Sequence, residues 1–512
     1  MAKSNKMKIS LTVASMGALL LAAACSSGGS NTGKEGNAAE EAKKPAGPFK
    51  IEVFHAPGTN KIPSADQDEL KKALEKKLGI ELNMNNYQGA GAEYANQLNV
   101  RMASADFPDM FSVPNLSTLH QYAESGMLLD LTPYMDQLKD YVTFVGENTV
   151  KAGKVGSKQF AIVKNAYAPQ ESYWIRKDWL DKLGLKAPTT LDELYDVAKA
   201  FTEQDPDGNG KKDTLGISGV NMSTFDPIYG AFGITPPGTI MIRDGKMLNT
   251  FYAPEMKAAL TYIKKLNDAK LVDSELSSMN NNTFQQKLFQ GQPGIVFSGW
   301  PLVMKDEFIS QWKAINPKAE WIQVGAPKGP GGQFMGGVDI SKNSGIMALP
   351  ASLQKQPEKL KKVLELINYV STKEGSRIGM YGIEGRHYNL KNGVIEPTEL
   401  MNTEGNYFYI YQFTGRPEME YLQTKFPKQM PFIDVAVKAP RIQTYQGLVI
   451  HPPDMNTSDA TRFSSEELLK FMYGKTPIDQ YDAFLKQLET TYNYKAINDF
   501  TEKKLKENGI LK

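Results

Sequence analysis

The chain has 512 residues, a formal charge of +2, 41 % apolar residues and a single cysteine. A length of this order is enough for two or more domains. Near-neutral charge without a basic stripe excludes nucleic acid and strongly charged polymers as expected partners, and one cysteine excludes a disulfide framework.

The N-terminus reads as an export leader over residues 1–24. Lys3, Lys6 and Lys8 precede an apolar stretch, Ile9 to Ala24, that ends in small residues. Ser10, Thr12, Ser15 and Gly17 dilute it, and it falls short of the roughly 20 apolar residues of a spanning helix. Loss of the three lysines with the leader takes the charge from +2 to −1. Cys25 follows Leu21-Ala22-Ala23-Ala24 directly, an arrangement that resembles a bacterial lipobox. Ala22 stands where that pattern prefers Leu. Cys25 is therefore the expected lipidation site, and two acyl chains suffice for a stable membrane anchor on the extracytoplasmic face. The expected tether, 25–48, is rich in Gly, Ser, Asn, Ala, Glu and Lys, a composition that cannot bury a core.

From Phe49 the pattern becomes regular. Phe49 to Phe54 alternates as a strand, and a helix is expected from a capping box at Ser64 and Gln67, with Leu70, Leu74 and Leu78 on one face and Gly79 as its stop. Ile80, Leu82 and Met84 alternate again, which completes a βαβ unit and implies a largely parallel sheet. A helix over Glu93 to Ala103 and a strand over Met110 to Val113 extend it. Thr190 and Glu193 form a second capping box ahead of Leu194, Val197, Ala198 and Phe201. Beyond residue 350 the spacing is mainly helical, at Pro357 to Thr372, Ser464 to Tyr473 and Pro477 to Thr490. Tyr407, Phe408, Tyr409, Tyr411 and Phe413 alternate like a strand.

Asp205, Asp207, Asn209, Lys211 and Asp213 occupy positions 1, 3, 5, 7 and 9 of an EF-hand-like loop, Lys211 through its carbonyl, with Gly210 at the sharp turn. Position 12 is Gly216 instead of a bidentate Glu, so water, Thr214 or another segment has to complete the shell. Short oxygen-bearing side chains on alternate residues of a tight loop suit Ca2+, expected here in a structural role; Asp, Asn and Gly also favour turns without a metal.

Tyr173-Trp174-Ile175-Arg176-Lys177-Asp178-Trp179-Leu180, Pro188-Thr189-Thr190-Leu191-Asp192-Glu193-Leu194, the calcium-like loop, Pro108-Asp109-Met110-Phe111 and Gly126-Met127-Leu128-Leu129-Asp130-Leu131 together resemble the family 1 extracellular solute-binding proteins of ABC transporters. The likeness is strongest to the LipO-like lipoprotein branch and to the alginate-oligosaccharide-binding proteins. It implies an α/β fold with two lobes of the periplasmic-binding-protein type II, a ligand cleft between them and hinge closure. It also implies a carbohydrate ligand, an ABC permease as partner, and no catalysis. A monomer is expected, and so are lobes of 49–165 with 293–345 and, helix-rich, 166–292 with 346–512.

A sugar cleft needs flat aromatics and groups that pair with hydroxyls. Trp300, after the apolar run ending Phe297-Ser298-Gly299, is the leading candidate, because α/β sheets place ligands at strand C-termini. Tyr173, Trp174, Asn165 and Tyr167 lie around an expected crossover, with Glu171 in the same loop. His55 and Asn115 follow strands, Tyr229 lies near a turn, and Glu384, Arg386, His387 and Tyr388 form a loop. For most of these a packing role is as good a reading; Trp179 reads as core, and Arg176 to Asp178 as a salt-bridged turn. Zinc-peptidase and nucleophile-elbow motifs are absent, but a lyase or glycosidase with two carboxylates about 5 to 9.5 Å apart needs no linear motif. A sugar-sensing lipoprotein without transport shares every feature above. Near-zero net charge argues against a heavily anionic ligand.

Overall fold

The computed structural model describes residues 47–56, 62–88, 91–452, 455, 457–507 and 509–512. The leader, Cys25 and the tether lie outside the described residues. Residues Pro48–Lys512 form one compact unit, built on two separate sheets.

The first sheet runs in the order Ile80–Asn86, Phe49–His55, Met110–Val113, Ile346–Ala348, Ala161–Val163. Phe49–His55 pairs in parallel with both neighbours, as the βαβ reading requires. Ile51 and Val53 are fully buried while Glu52 between them faces outward, so the alternation has a core side and a solvent side. The helix Glu69–Leu78 buries Leu70 and Leu74 against this sheet, each worth about 1.5 to 3 kcal/mol in apolar burial. It stops at Gly79, whose φ of 62° is the left-handed region open to glycine. Its cap is not the expected box. Asp68 accepts from Leu70 N and Lys71 N, whereas Ser64 closes a turn with Gln67 through its carbonyl.

The second sheet is ordered Trp321–Val324, Glu171–Arg176, Pro293–Gly299, Leu215–Ser218. Pro293–Gly299 is buried along nearly its whole length, which is why it reads as a continuous apolar run and not an alternating one. Trp179 and Phe201 meet edge to face, 5.3 Å apart, over Gly294. A Cβ at Gly294 would lie 2.2 Å from Phe201 Cδ2, so the sheet and helix layers can approach this closely only at glycine. The helix Leu191–Glu203 that supplies Phe201 has the expected Thr190–Glu193 capping box. Arg176 chelates Asp178 at 2.8 and 2.6 Å, the expected salt-bridged turn.

Three expectations are corrected here. Segment 293–345 was expected with the first lobe, yet its strands Pro293–Gly299 and Trp321–Val324 pair with Glu171–Arg176 in the second sheet. Ile346–Ala348, expected in the second lobe, inserts between two strands of the first. The apolar runs give the strands away but not the sheet they join, since pairing is non-local. Tyr407 to Phe413 is not a strand. Gly405–Tyr411 is a 3-10 helix that packs Tyr407, Phe408, Ile410 and Tyr411 into the first core.

Candidate functional site

Sheet polarity locates the site. Ala161–Val163 and Ile346–Ala348 are antiparallel to each other, and the latter is antiparallel to Met110–Val113. The C-terminus of Ala161–Val163 therefore lies at the same sheet edge as those of Phe49–His55, Ile80–Asn86 and Met110–Val113. In the second sheet the start of Glu171–Arg176 lies beside the C-terminus of Pro293–Gly299. The first crossover, 164–170, thus joins the two edges where open α/β sheets take ligands. A second, 340–345, enters Ile346, and a third, 412–417, passes from the first core to the helix Glu418–Lys425.

The crossovers are bound together. Lys164 N donates to Gly345 O at 2.9 Å, and Ser344 N to Asn165 O at 3.2 Å. Gly415 has φ 89°, and a Cβ there would lie 2.9 Å from Asn165 N, so the third crossover can lie against the first only as glycine. Gln170 O accepts from Trp300 N at 3.0 Å. That bond explains the position of Trp300 at the strand end without giving it a ligand.

Most of the aromatic candidates are core. Trp300 is 1 % exposed and meets Phe426 edge to face at 5.1 Å. Tyr173 and Trp174 point to opposite faces of their strand, and both are enclosed; their OH and Nε1 donate to Thr224 O and Ser298 O. Tyr229 is fully buried in the same core as Tyr173. Glu384, Arg386, His387 and Tyr388 form a self-contained loop. Arg386 and His387 both bond Glu404, His387 Nδ1 also accepts from Ile383 N at 2.8 Å, Tyr388 packs on Tyr381, and Glu384 is exposed. Asn115 caps the helix Leu116–Glu124 by accepting from Thr118 N. His55 is buried at its strand end with Nε2 2.6 Å from Asn86 Oδ1. Burial, with the Lys164 ammonium adding to it, pushes its pKa down to about 4, so the imidazole is neutral.

Asn165 and Tyr167 remain on the first crossover. Asn165 Oδ1 accepts from Thr149 Oγ1 at 3.3 Å. Tyr167 is 36 % exposed, the one aromatic among the large exposed apolar side chains of the described residues. The Arg416 guanidinium lies 4.6 Å from its ring centroid and 3.7 Å from that of Tyr421, and chelates Glu418 at 2.5 and 3.2 Å. One side of Tyr167 is therefore backed by a fixed cation while part of the ring faces solvent.

Beside this crossover lies a cavity of about 260 Å3, lined by Glu171, Asp226, Thr235, Thr239, Lys342 and Arg441 among others. Asp226 Oδ1 and Arg441 Nε are enclosed and have no partner within the protein. Burial pushes the Asp226 carboxyl up to about 7, with Arg441 opposing and Glu171 adding to the shift. Burial also lowers Arg441, whose NH2 group donates to Glu171 O at 2.8 Å. Sequence reading missed both Asp226 and Arg441. Asp226 lies past the strand Leu215–Ser218, where a strand-end rule finds it; Arg441 has no local signal, because its contact to Glu171 spans 270 residues. A larger cavity of about 560 Å3 flanks the first sheet. There Glu52 is paired with Arg101, Asp109 with Lys359, and Asp68 with Tyr411 and Tyr407, so these acidic groups are already engaged.

In the loop 205–213, Asn209 Nδ2 donates to Asp207 Oδ2 at 2.8 Å and to Asp213 Oδ1 at 3.1 Å, so the two carboxylates converge on one point. Asp205 Oδ2 accepts from Gly210 N at 3.0 Å, while its Oδ1 is enclosed without a partner. Asp207 is raised by burial and by its contact with Asp205; against burial, that same contact holds Asp205 below its usual range. Repelling carboxylates around an orphaned oxygen fit a hard cation. Among the described residues, though, no three His, Cys, Asp or Glu side chains form a metal site by themselves, so Asn209 and the Lys211 carbonyl have to take part. The Thr214 hydroxyl is buried and donates to Phe201 O at 2.8 Å, which fixes its hydrogen away from the loop. Position 12 could not carry a longer side chain, since a Cβ at Gly216 would lie 2.7 Å from Ala198 O and Leu271 O.

Two sheets joined by bundled crossovers over a polar cavity define a binding protein. The chain belongs to the bacterial extracellular solute-binding protein family, whose profile matches residues 56–376. It is similar to Lipoprotein LipO of Bacillus subtilis (strain 168), 30 % identical over 369 residues that cover 70 % of this chain and 72 % of the relative. Among solved structures it shares its fold with alginate-binding protein AlgQ2 crystallised without calcium (TM-score 0.71, 18 % identity, 90 % of this chain and 98 % of the other). It shares it also with an EF-hand mutant of the Streptococcus pneumoniae ABC-transporter substrate-binding protein FusA in complex with fructo-nystose (TM-score 0.69, 17 % identity, 90 % and 100 %). The fold is thus two-lobed and of the periplasmic-binding type. The protein is not an enzyme, since its family binds solutes without acting on them. No helix among the described residues is long and apolar enough to cross a membrane.

Proposed function

We propose that this protein is the lipid-anchored, extracytoplasmic substrate-binding component of an ABC importer, capturing an oligosaccharide between its lobes and delivering it to a membrane permease. The observation that carries the reading is the cavity at the crossovers, where Asp226 Oδ1 and Arg441 Nε have no protein partner; Tyr167, part-exposed, lies on the crossover that leads into Pro169 and Glu171 of its lining. Sugar hydroxyls pair with a carboxyl and a guanidinium, and sugar C–H faces lie on a tyrosine ring. The likeness to proteins whose names give alginate and fructo-nystose supports a carbohydrate without choosing one. Residues 1–24 serve as the leader, Cys25 carries the lipid, 25–48 is the tether, and the protein acts as a monomer. Asp205, Asp207, Asn209, Asp213 and the Lys211 carbonyl hold Ca2+, which neutralises the loop that ends the helix Leu191–Glu203.

Thermal unfolding against a panel of oligosaccharides, with calcium or chelator and with the sugars assayed for cleavage, tests this. A ligand that binds only the folded state raises the midpoint with its concentration. The expected result is a raised midpoint with intact sugar and a lower midpoint in chelator. Cleaved sugar, or no shift with any saccharide, overturns the reading.

A further inference from the structure

The cavity at the crossovers holds an acid whose bonding is incomplete. Asp226 opens the helix Asp226–Ala231, and its Oδ1 is enclosed with no partner in the protein. Gly336 packs against it so closely that a Cβ there would lie 2.9 Å from Asp226 Cβ. Tyr173 and Tyr229, near enough to feel its charge, are phenols that burial holds neutral.

The charged groups around Asp226 come from three other segments. Glu171 begins the strand Glu171–Arg176, Arg441 precedes the strand Ile442–Thr444, and Asp339 and Lys342 lie at and after the end of the strand Gly337–Asp339; all four line the same cavity. Asp339 is already satisfied, accepting from Ser341 N and Gly447 N, and Lys342 is exposed. Arg441 spends its NH2 group on Glu171 O and leaves Nε without a protein partner, so it acts on Asp226 through charge and not through a bond.

Such a site holds a proton when it is empty. A carboxylate with one enclosed oxygen lacking a donor is poorly solvated. Burial and then the Glu171 charge raise it, against Arg441, until the carboxyl ionises at about pH 7. A sugar hydroxyl changes that balance, because it can give its hydrogen to Asp226 Oδ1 while a sugar oxygen accepts from Arg441 Nε. A donor bonds an ionised carboxylate more strongly than a neutral acid.

We propose that saccharide capture is coupled to ionisation of Asp226: the proton held by the empty site leaves to water as a ligand hydroxyl donates to Asp226 Oδ1 and Arg441 Nε donates to a ligand oxygen. No bond of the sugar changes. This concerns regulation of the site described above and rests on the carbohydrate reading. Between the ionisation of the complex and that of the empty site near pH 7, only the empty site carries the proton. Affinity therefore rises with pH through that window, levels off above it, and falls as the medium acidifies.

The test is isothermal titration of the full chain in detergent micelles with kestose, maltotriose and galactotriose from pH 5 to 8, in paired buffers of different ionisation enthalpy. These sugars have no group that titrates in this range, so any pH dependence belongs to the protein. Affinity should rise about tenfold across the range, the difference between a neutral and a charge-assisted bond. About half a proton per sugar should be released at pH 6.5. Asp226→Asn should remove both the rise and the release. Glu171→Gln keeps the titrating group and removes a repelling neighbour, so it should move the rise to lower pH; it decides the matter if Asp226→Asn folds or binds poorly. A native affinity flat from pH 5 to 8, a rise that persists in Asp226→Asn, or a Glu171→Gln profile that coincides with the native one would overturn the inference and leave the carbohydrate reading standing. If none of the sugars binds at any pH, both readings fall.

Discussion

Trp300 and Tyr167 are aromatic residues at the same edge of the second sheet, linked through the bond from Trp300 N to the crossover at Gln170, yet they live in different environments. Trp300 is 1 % exposed among Phe426 and its neighbours; Tyr167 is 36 % exposed on a segment with no regular structure. The strand that delivers Trp300 turns directly into the helix Trp300–Met304, which folds the indole back onto the core. The crossover has no helix to do this. Regular elements consume their aromatics in packing, and the segments between them keep theirs for other uses.

The contrast can be broken most strongly at Trp300. Trp300→Ala should destabilise the protein by about 3 to 5 kcal/mol, the range for removing a buried aromatic, read as a lower denaturant midpoint. Trp300→Phe should cost much less, since the indole Nε1 has no partner to lose. If Trp300→Ala left stability intact and abolished binding, the two residues would have to exchange roles.

Asp226 gives an intermediate effect that depends on pH. Its carboxyl ionises near pH 7 in the folded state and near pH 4 when unfolded. Between those values only the folded chain keeps the proton, so its contribution is full below pH 4 and is lost as pH rises through 7. Asp226→Asn should therefore match the native chain at pH 4 and be more stable at pH 8. Parallel stability curves for the two proteins from pH 4 to 8 would contradict the burial assigned to this group.

Tyr167→Ala should have the smallest effect on stability, about 1 kcal/mol or less, as expected for a half-exposed ring on a cation. It should nonetheless weaken saccharide binding by about tenfold, comparable to the loss of one aromatic contact. A change in the unfolding midpoint with unchanged affinity would make Tyr167 another packed residue, and the contrast with Trp300 would disappear.

Local features of the fold were legible in the sequence. Leu70 and Leu74 on one helical face, Gly79 as a stop and the Thr190–Glu193 box each depend on residues within one or two turns of one another. The first capping box went wrong by a few residues, because Asp68 is the better acceptor for the helix that starts at Glu69. Less of the site could be read. The expectation for Trp300 rested on a strand end, but exposure there depends on Phe426, far along the chain. Asp226, Arg441 and Glu171 meet only in the folded chain, and no window of sequence contains them. Asn165 and Tyr167 do lie between Ala161–Val163 and Glu171–Arg176, on the crossover where the sequence reading put them.

The placement of Ile346–Ala348 bears on how the molecule is made. This strand sits between Met110–Val113 and Ala161–Val163, so the first sheet has a gap until the chain has been synthesised past residue 348, after every strand of the second sheet. The first sheet cannot finish until then, and such late, long-range pairing slows folding. A chain that stays incomplete until most of it is present remains threadable for a long time, which would suit the export proposed above for this protein.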